Sequence, residues 1–343
     1  MKKIALITDA WHPQVNGVVR VTETLAKMLE SRGIEVKIIE PSQFTTIPLP
    51  LYQEYRLALF AKRRVAKELA DFKPDAIHLM TEGTLGFAAR TYCLKQNLPF
   101  TTWYHTHFDY YISMRIPGLL SIVKLFVRTF HNAATSTFVS TESLKKDLHD
   151  EGFTRLAVVP LGVDTERFKR NLAPAVPVYQ KPVYVFFSRL AVEKSPEEFL
   201  QLELQGTKLV IGDGPDRERL EKKYSVANGG DATFVGYKKG QELVDYLSSA
   251  DVMIFPSRTE TFGLAALEAL ACGVPVAAHN VLGPRDIVTE GVDGYLSANL
   301  AEAAQKCLLL EREACRQKAL KYSWKNSVDV FLQNLVPIKD AKI

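Results

Sequence analysis

The stretch "ADVMIFPSRTETFGLAALEALACGVPVAAHN", Ala250 to Asn280, decides the architecture. Its opening "VMIF" is an unbroken apolar run, as expected of a strand buried on both faces of a parallel sheet. A polar turn follows, a helix opens at Phe262-Gly263, and "VPVAA" supplies the next strand. Strand, helix and strand in this order read as a parallel βαβ crossover. Two glutamates bracket the glycine, Glu260 in the turn and Glu268 inside the helix.

Working outward, the same alternation fills both halves of the chain. "KKIALITD" reads as a strand, "VVRVTETLAKMLESRG" as a helix ending at Gly33, and "IEVKIIEP" as a second strand. "RLALFAKRRVAKELADF" is expected to be one helix, followed by the strands "PDAIHLMT", "PFTTWYHTH", "ATSTFVSTE" and "RLAVVPLGVD" with helices between them. The pattern lapses from Asp164 to Val183 in a segment rich in Pro and charge, which reads as a linker. It then restarts with "VYVFFSRL", "TKLVIGDG", "ATFVGY" and "DVMIFPS". "SWKNSVDVFLQNL" reads as a closing amphipathic helix. The expectation is an α/β protein of two Rossmann-like doubly wound domains. Residues 1–170, joined by a C-terminal helix at 322–343, form the first, and 171–321 the second, with a cleft between them. In such sheets ligands bind beyond the carboxyl ends of the strands.

Composition narrows the function. The chain has 343 residues, 47% hydrophobic and 24% charged, which fits a globular protein of two domains. Cys93, Cys272, Cys307 and Cys315 show no ligand-like spacing and read as reduced structural thiols. "IALI" is too short for a signal-peptide core, so a cytoplasmic protein is expected. Residues 1–165 hold 20 Lys and Arg against 16 Asp and Glu, and the remainder is balanced. That excess is too mild for a nucleic-acid binder but suits weak attraction to an anionic surface.

The chemistry gathers at strand ends. At Phe262, Gly263 and Leu264 the first amides of a helix have no intrahelical acceptor, and Gly263 has no Cβ to hold a phosphate away. A carboxylate on each side of such an anion site would repel a bare phosphate. The arrangement suits a diphosphate flanked by hydroxyl-bearing groups, to which Glu260 and Glu268 can offer acceptors. In "FFSRLAVEKSPEEF" Arg189 and Lys194 follow a strand end and can meet the charge of a leaving diphosphate. "VIGDGPDRE" places Asp213 and Gly214 in a tight turn that a nucleotide base can abut. "DAWHPQVNGVVR" opens a helix at Gly17, a second backbone anion site. "TTWYHTHFDYY" puts His105 and His107 at a strand end, where His105 can face a sugar hydroxyl. Two histidines at this spacing without a third ligand do not make a metal site.

With these residues assembled, the chain resembles glycosyltransferase family 4, the retaining GT-B transferases, over nearly its whole length. The resemblance rests on the Glu260-to-Glu268 stretch with its Phe-Gly, on "SRLAVEK", "GDGP" and "PLGVDTERF", and on the opening "DAWHPQVNGVVR". "TEGTLGFAAR", "FTTWYHTHF" and "GPRD" are similar to the subgroup of GDP-mannose-dependent α-mannosyltransferases and sulfoquinovosyldiacylglycerol synthases, which glycosylate lipids or lipid-linked acceptors. The resemblance implies a hexose moved from GDP-mannose or a UDP-sugar to a lipid or glycan hydroxyl, with no cofactor and no metal. Glu260 and His105 would lie beside the sugar, and Glu268 would hold the ribose. Arg189, Lys194 and the amides of 262–264 would take the diphosphate, and Gly17 would let the first domain approach it. Ser188 and Ser195 stand where relatives often carry Gly or Gly/Asn.

"LYQEYRLALFAKRRVAKEL" carries Arg56, Lys62, Arg63, Arg64 and Lys67 beside Leu57, Leu59 and Phe60, and "RIPGLLSIVKLFVRTFH" is mostly apolar with Ser121, Lys124, Arg128 and His131 on one stripe. Such helices suit either a lipid interface or a core-facing helix with a solvated stripe, and the positive excess of this half favours lipid contact. A nucleotide-sugar 2-epimerase shares this architecture, but it needs acid–base carboxylates in a pattern that this chain does not show.

Overall fold

The computed structural model describes residues 1–14, 16–49, 52–107, 118 and 120–338. The chain divides into two compact units: Met1–Pro160 with Lys325–Ile343, and Leu161–Trp324. The break falls ahead of the expected boundary at 170. The reason is local, since residues 161–168 are bonded to the later unit. The Val163 N–H donates to the Tyr322 carbonyl at 2.9 Å. Arg316 donates to the carbonyls of Phe168 and Thr165 at 2.6 and 2.7 Å. For the same reason Tyr322 and Ser323 stay with the C-terminal unit, and the chain returns to the first unit at Lys325.

The N-terminal unit is built on β1 (Lys3–Ile7), β2 (Glu35–Ile39), β5 (Ala76–Leu79), β6 (Thr101–Trp103), β7 (Ser136–Val139) and β8 (Leu156–Val158). All pair in parallel, in the order β2-β1-β5-β6-β7-β8. Direction reverses at β1, whose two neighbours follow it by crossovers in opposite senses. This is the switch point where doubly wound sheets leave a crevice. Helices α1 (Gly17–Glu30), α2 (Ala61–Phe72), α3 (Thr84–Lys95), α4 (Leu120–His131) and α5 (Glu142–Asp150) cover the sheet. The core under α2 and α3 joins Ile7, Ile39, Val65, Leu69, Leu79, Leu85, Ala89 and Phe130.

One expected helix is in part a hairpin. β3 (Thr46–Leu49) and β4 (Tyr52–Ala58) pair antiparallel, so Arg56, Leu57 and Ala58 are strand, and α2 starts only at Ala61. Phe60, left-handed at φ 54°, separates the two elements. A non-glycine residue there ends any helical run from the N-terminal side.

The C-terminal unit repeats the plan with β9 (Val183–Phe187), β10 (Thr207–Ile211), β11 (Ala232–Gly236), β12 (Val252–Phe255), β13 (Val276–Ala278) and β14 (Gly294–Leu296). These pair in parallel as β11-β10-β9-β12-β13-β14, with the switch point between β9 and β12. Its helices are α6 (Pro196–Leu200), α7 (Arg217–Tyr224), α8 (Gly240–Ser249), α9 (Leu264–Ala271), α10 (Pro284–Ile287), α11 (Leu300–Cys307) and α12 (Arg312–Leu320). From Ala266 to Ala271 every residue of α9 is buried.

The last described helix, α13 (Trp324–Asn334), carries the chain back to the N-terminal sheet. Phe331, fully buried, stacks on Trp103 at 6.0 Å and meets His78 and Phe138 edge-on at 5.0 and 5.6 Å. Phe331→Ala is expected to destabilise the N-terminal unit by about 3–5 kcal/mol through the cavity left behind. Denaturant unfolding followed by hydrogen exchange checks this: the N-terminal sheet amides should lose protection while those of β9 to β14 keep theirs.

Candidate functional site

In the C-terminal unit the switch point sets two loops side by side, one leaving β9 and one leaving β12. The β9 loop carries Arg189 and Lys194; the β12 loop carries Glu260 to Gly263. Lys194 Nζ lies 2.7 Å from Glu260 Oε1, both side chains largely buried. Arg189 Nη1 lies 3.3 Å from Glu193 Oε1. The Glu193 carbonyl accepts from Ser257 Oγ at 3.2 Å and Thr259 Oγ1 at 3.1 Å, so main chain also joins the loops. Sequence reasoning brought Arg189, Lys194 and Glu260 together but missed Glu193, although it sits directly ahead of Lys194.

Gly263 is the residue before α9, at φ 106° and ψ 54°, and no side chain caps the helix. The left-handed backbone there favours glycine. No acidic residue occupies the first turn of α9, so its leading amides retain their pull on an anion. Phe262 is buried against Tyr322, ring centroids 6.0 Å apart, and anchors the turn. Gly283 closes it from the other side: a Cβ there would lie 2.8 Å from Glu260 Cβ and 2.7 Å from the Phe262 carbonyl oxygen. Glu268 is buried at 3% exposure inside α9.

A third loop leaves β10. Leu190 N–H donates to the Asp213 carbonyl at 2.9 Å, so the β9 and β10 loops run together. Gly214 is required there, because a Cβ would sit 2.3 Å from the Leu190 carbonyl oxygen. Asp213 turns one oxygen to the Gly214 N–H at 2.8 Å and the other to Arg217 at 2.9 Å. Glu198 in α6 ties the cluster to β13. It accepts from Arg258 at 2.9 Å and faces His279 Nε2 at 2.7 Å, while His279 Nδ1 faces the Ser297 carbonyl at 3.0 Å. Ser195 adopts a left-handed φ of 50°, the conformation that Gly or Asn enters most easily.

Gly17 and His105 belong to the N-terminal unit. Gly17 opens α1, and the Asn16 side chain accepts from the Val19 N–H at 3.0 Å. The neighbouring helix start, at α3, is filled by the protein itself. Asp9, at the end of β1, accepts from the amides of Leu85 and Gly86 at 2.8 and 3.2 Å and from the hydroxyls of Thr81 and Thr84. Gly83 makes room for it, since a Cβ there would lie 2.3 Å from the Asp9 carboxyl carbon. Nothing in "TDAWHP" signals this long-range cap.

His105 stacks on Trp103, 4.8 Å between centroids, and burial with the nearby His131 pushes its pKa down to about 3. It is therefore a neutral imidazole at physiological pH. His107 contacts the Tyr104 hydroxyl at 3.2 Å, and the residues after it lie outside the described set. Among the described residues no three His, Cys, Asp or Glu side chains converge as metal ligands.

Residues 15–167 match the family described as Glycosyltransferase Family 4, and residues 169–324 match Glycosyl transferases group 1. Sulfoquinovosyl transferase SQD2 of Arabidopsis thaliana is 31% identical, over 94% of this chain and 71% of its own. Alpha-monoglucosyldiacylglycerol synthase of Streptococcus pneumoniae is 28% identical, over 86% of this chain and 75% of its own. Among solved structures, sucrose-phosphate synthase from Thermosynechococcus elongatus superposes with a TM-score of 0.75 over 97% of this chain and 98% of its own, at 19% identity, a likeness of fold.

Burial also lowers the pKa of His78, well below its ordinary value. The unfolded chain then takes up protons below about pH 6.5 that the folded chain refuses, so stability falls as pH drops through that range. Each histidine contributes about 1.4 kcal/mol per pH unit below 6.5. Unfolding free energies at pH 7 and 5.5 should differ by about 1–3 kcal/mol in favour of pH 7; equal values would contradict the neutral state of both rings.

Proposed function

The chain belongs to glycosyltransferase family 4, and on that premise we propose that it is a retaining hexosyltransferase carrying a sugar from a nucleoside-diphosphate donor to a lipid hydroxyl. The observation that carries this reading is the Lys194–Glu260 pair beside the uncapped start of α9. A cation and a carboxylate in contact next to bare amides suit a ligand with an anionic middle and a hydroxyl-bearing end. Lys194 and Arg189 take the diphosphate with the amides of Phe262, Gly263 and Leu264, while Glu260 accepts from sugar hydroxyls. Buried Glu268 holds the ribose hydroxyls, and the turn at Asp213 and Gly214 abuts the base. In the N-terminal unit Gly17 serves a phosphate, and His105, neutral, serves a sugar hydroxyl.

As the bond from the anomeric carbon to the diphosphate breaks, negative charge grows on the leaving oxygen. Arg189, Lys194 and the start of α9 are fixed where that charge develops, the arrangement that lowers a barrier most. The acceptor hydroxyl enters on the same face of the sugar, and a diphosphate oxygen takes its proton. Configuration is thereby retained without a covalent glycosyl-enzyme and without a metal ion.

The lipid acceptor is supported by a relative whose name includes diacylglycerol and by α4. Three members of the polar stripe of α4 are tied to their own unit while Ser121 is exposed: Lys124 pairs with Glu151 at 2.7 Å, Arg128 donates to the Glu151 carbonyl, and His131 is buried. Ile122, Leu125 and Phe126 are 64%, 55% and 44% exposed, which, of the two readings open in the sequence, favours the lipid interface. Phe60 is 94% exposed next to the exposed Lys62, Arg63 and Arg64 of α2. No described helix is long and apolar enough to cross a membrane. We place the protein at the cytoplasmic face of a membrane, held by this surface.

Lys194→Ala removes one charge from the leaving-group site and should slow transfer about a hundredfold, roughly 3 kcal/mol. Transfer assays with GDP-mannose and UDP-glucose and a diacylglycerol acceptor read this out; unchanged turnover would refute the role of Lys194. Glu260→Gln, incubated with donor and analysed by intact-protein mass spectrometry, should show no hexose adduct, and an adduct would overturn the same-face mechanism. Co-sedimentation with phosphatidylglycerol vesicles should be strong at low salt and weaken at high salt, whereas no binding at low salt would remove the membrane surface from this reading.

A further inference from the structure

Glu193 is an anomaly of the C-terminal unit. It is 2% exposed, one carboxylate oxygen lies 3.3 Å from Arg189 Nη1, and the other, Oε2, is buried without a hydrogen-bond partner among the described residues. Leaving a buried charged oxygen unsatisfied costs free energy that a glutamine or an aliphatic side chain in the same volume would avoid. Such groups are rare in native interiors and call for an explanation.

Position supplies one. Glu193 lies in the single turn Val192–Lys194 that joins the two cations of the proposed donor site. Its side chain faces Arg189, on the β9 side. Its carbonyl accepts from Ser257 and Thr259, on the β12 side, just ahead of Glu260. The next residue, Lys194, closes the pair to Glu260. One residue therefore touches both loops, and it meets the β12 loop through its carbonyl rather than its carboxylate. The one contact of the carboxylate among the described residues is with Arg189.

We propose that Glu193 is a positioning residue for the donor diphosphate, its buried carboxylate holding the Arg189 guanidinium in the orientation that receives phosphate. This rests on the donor-site reading above. A long, flexible cation that is pre-oriented loses less freedom when it meets its ligand, so the carboxylate strengthens phosphate binding even though its own charge opposes an anion. Substituting Glu193 should weaken only the part of binding that depends on the second phosphate, and only while Arg189 is present.

The test is calorimetric binding of UDP against UMP, and of GDP against GMP, to the full chain and its Glu193→Gln, Arg189→Ala and doubly substituted forms. Glutamine keeps the volume and leaves the carbonyl clamp in place. For Glu193→Gln, diphosphate affinity is expected to fall tenfold or more, with monophosphate affinity unchanged within twofold. In the Arg189→Ala background the same substitution should have no further effect. Glu193→Asp keeps the charge and should recover part of the loss; if Glu193→Gln does not fold, the Asp form and its Arg189→Ala partner carry the same comparison. Equal losses for mono- and diphosphate, no loss at all, or a loss that persists without Arg189 would each overturn the proposal. If the unsubstituted chain binds neither UDP nor GDP, the donor-site reading itself fails, an outcome separate from the other three.

Discussion

The contact between Lys194 and Glu260 is the constraint on which the proposed donor site of the C-terminal unit depends. Ion pairs on open surfaces contribute little, but this one is largely buried and joins loops that are distant in sequence. It exists because the sheet reverses direction between β9 and β12, so their carboxyl ends face a shared crevice. Gly283, Gly214 and the Glu193 carbonyl then hold the loops at a fixed spacing. Each makes a main-chain approach that a larger or differently placed group would disrupt.

The same fold principle is used differently in the two units. At α9 the helix start is bare, preceded by glycine and free of acidic residues in its first turn. At α3 the corresponding position is filled by Asp9, which satisfies the amides that a ligand would otherwise meet. A helix tip is thus a potential anion site only where the protein has not already supplied the anion. That distinction separates the uncapped helix start in the C-terminal unit from a structural joint in the N-terminal one.

Much of this was legible in the sequence because it is local. The apolar strands, the Phe262-Gly263 helix start and the cations after β9 each declare themselves within a few residues. The β3–β4 hairpin was not legible, because "RLALF" carries helix formers and only the left-handed Phe60 reveals where the helix begins. The sequence leaves the orientation of α4 open for a related reason. Its Lys124 and Arg128 bind Glu151, a partner far along the chain, and periodicity cannot say which face of a helix its own domain will claim. Glu193 and Asp9 escaped notice because their meaning lies in contacts between separate strand ends.

A C-terminal unit that grips a donor by its diphosphate must also bind the free nucleoside diphosphate. Isothermal titration of the unsubstituted chain with UDP or GDP over a range of salt concentrations tests it most directly. Saturable binding of at least one of the two is expected, weakening steadily as salt rises, because two cations and a helix start supply the attraction. Binding that is absent for both, or indifferent to salt, would contradict it.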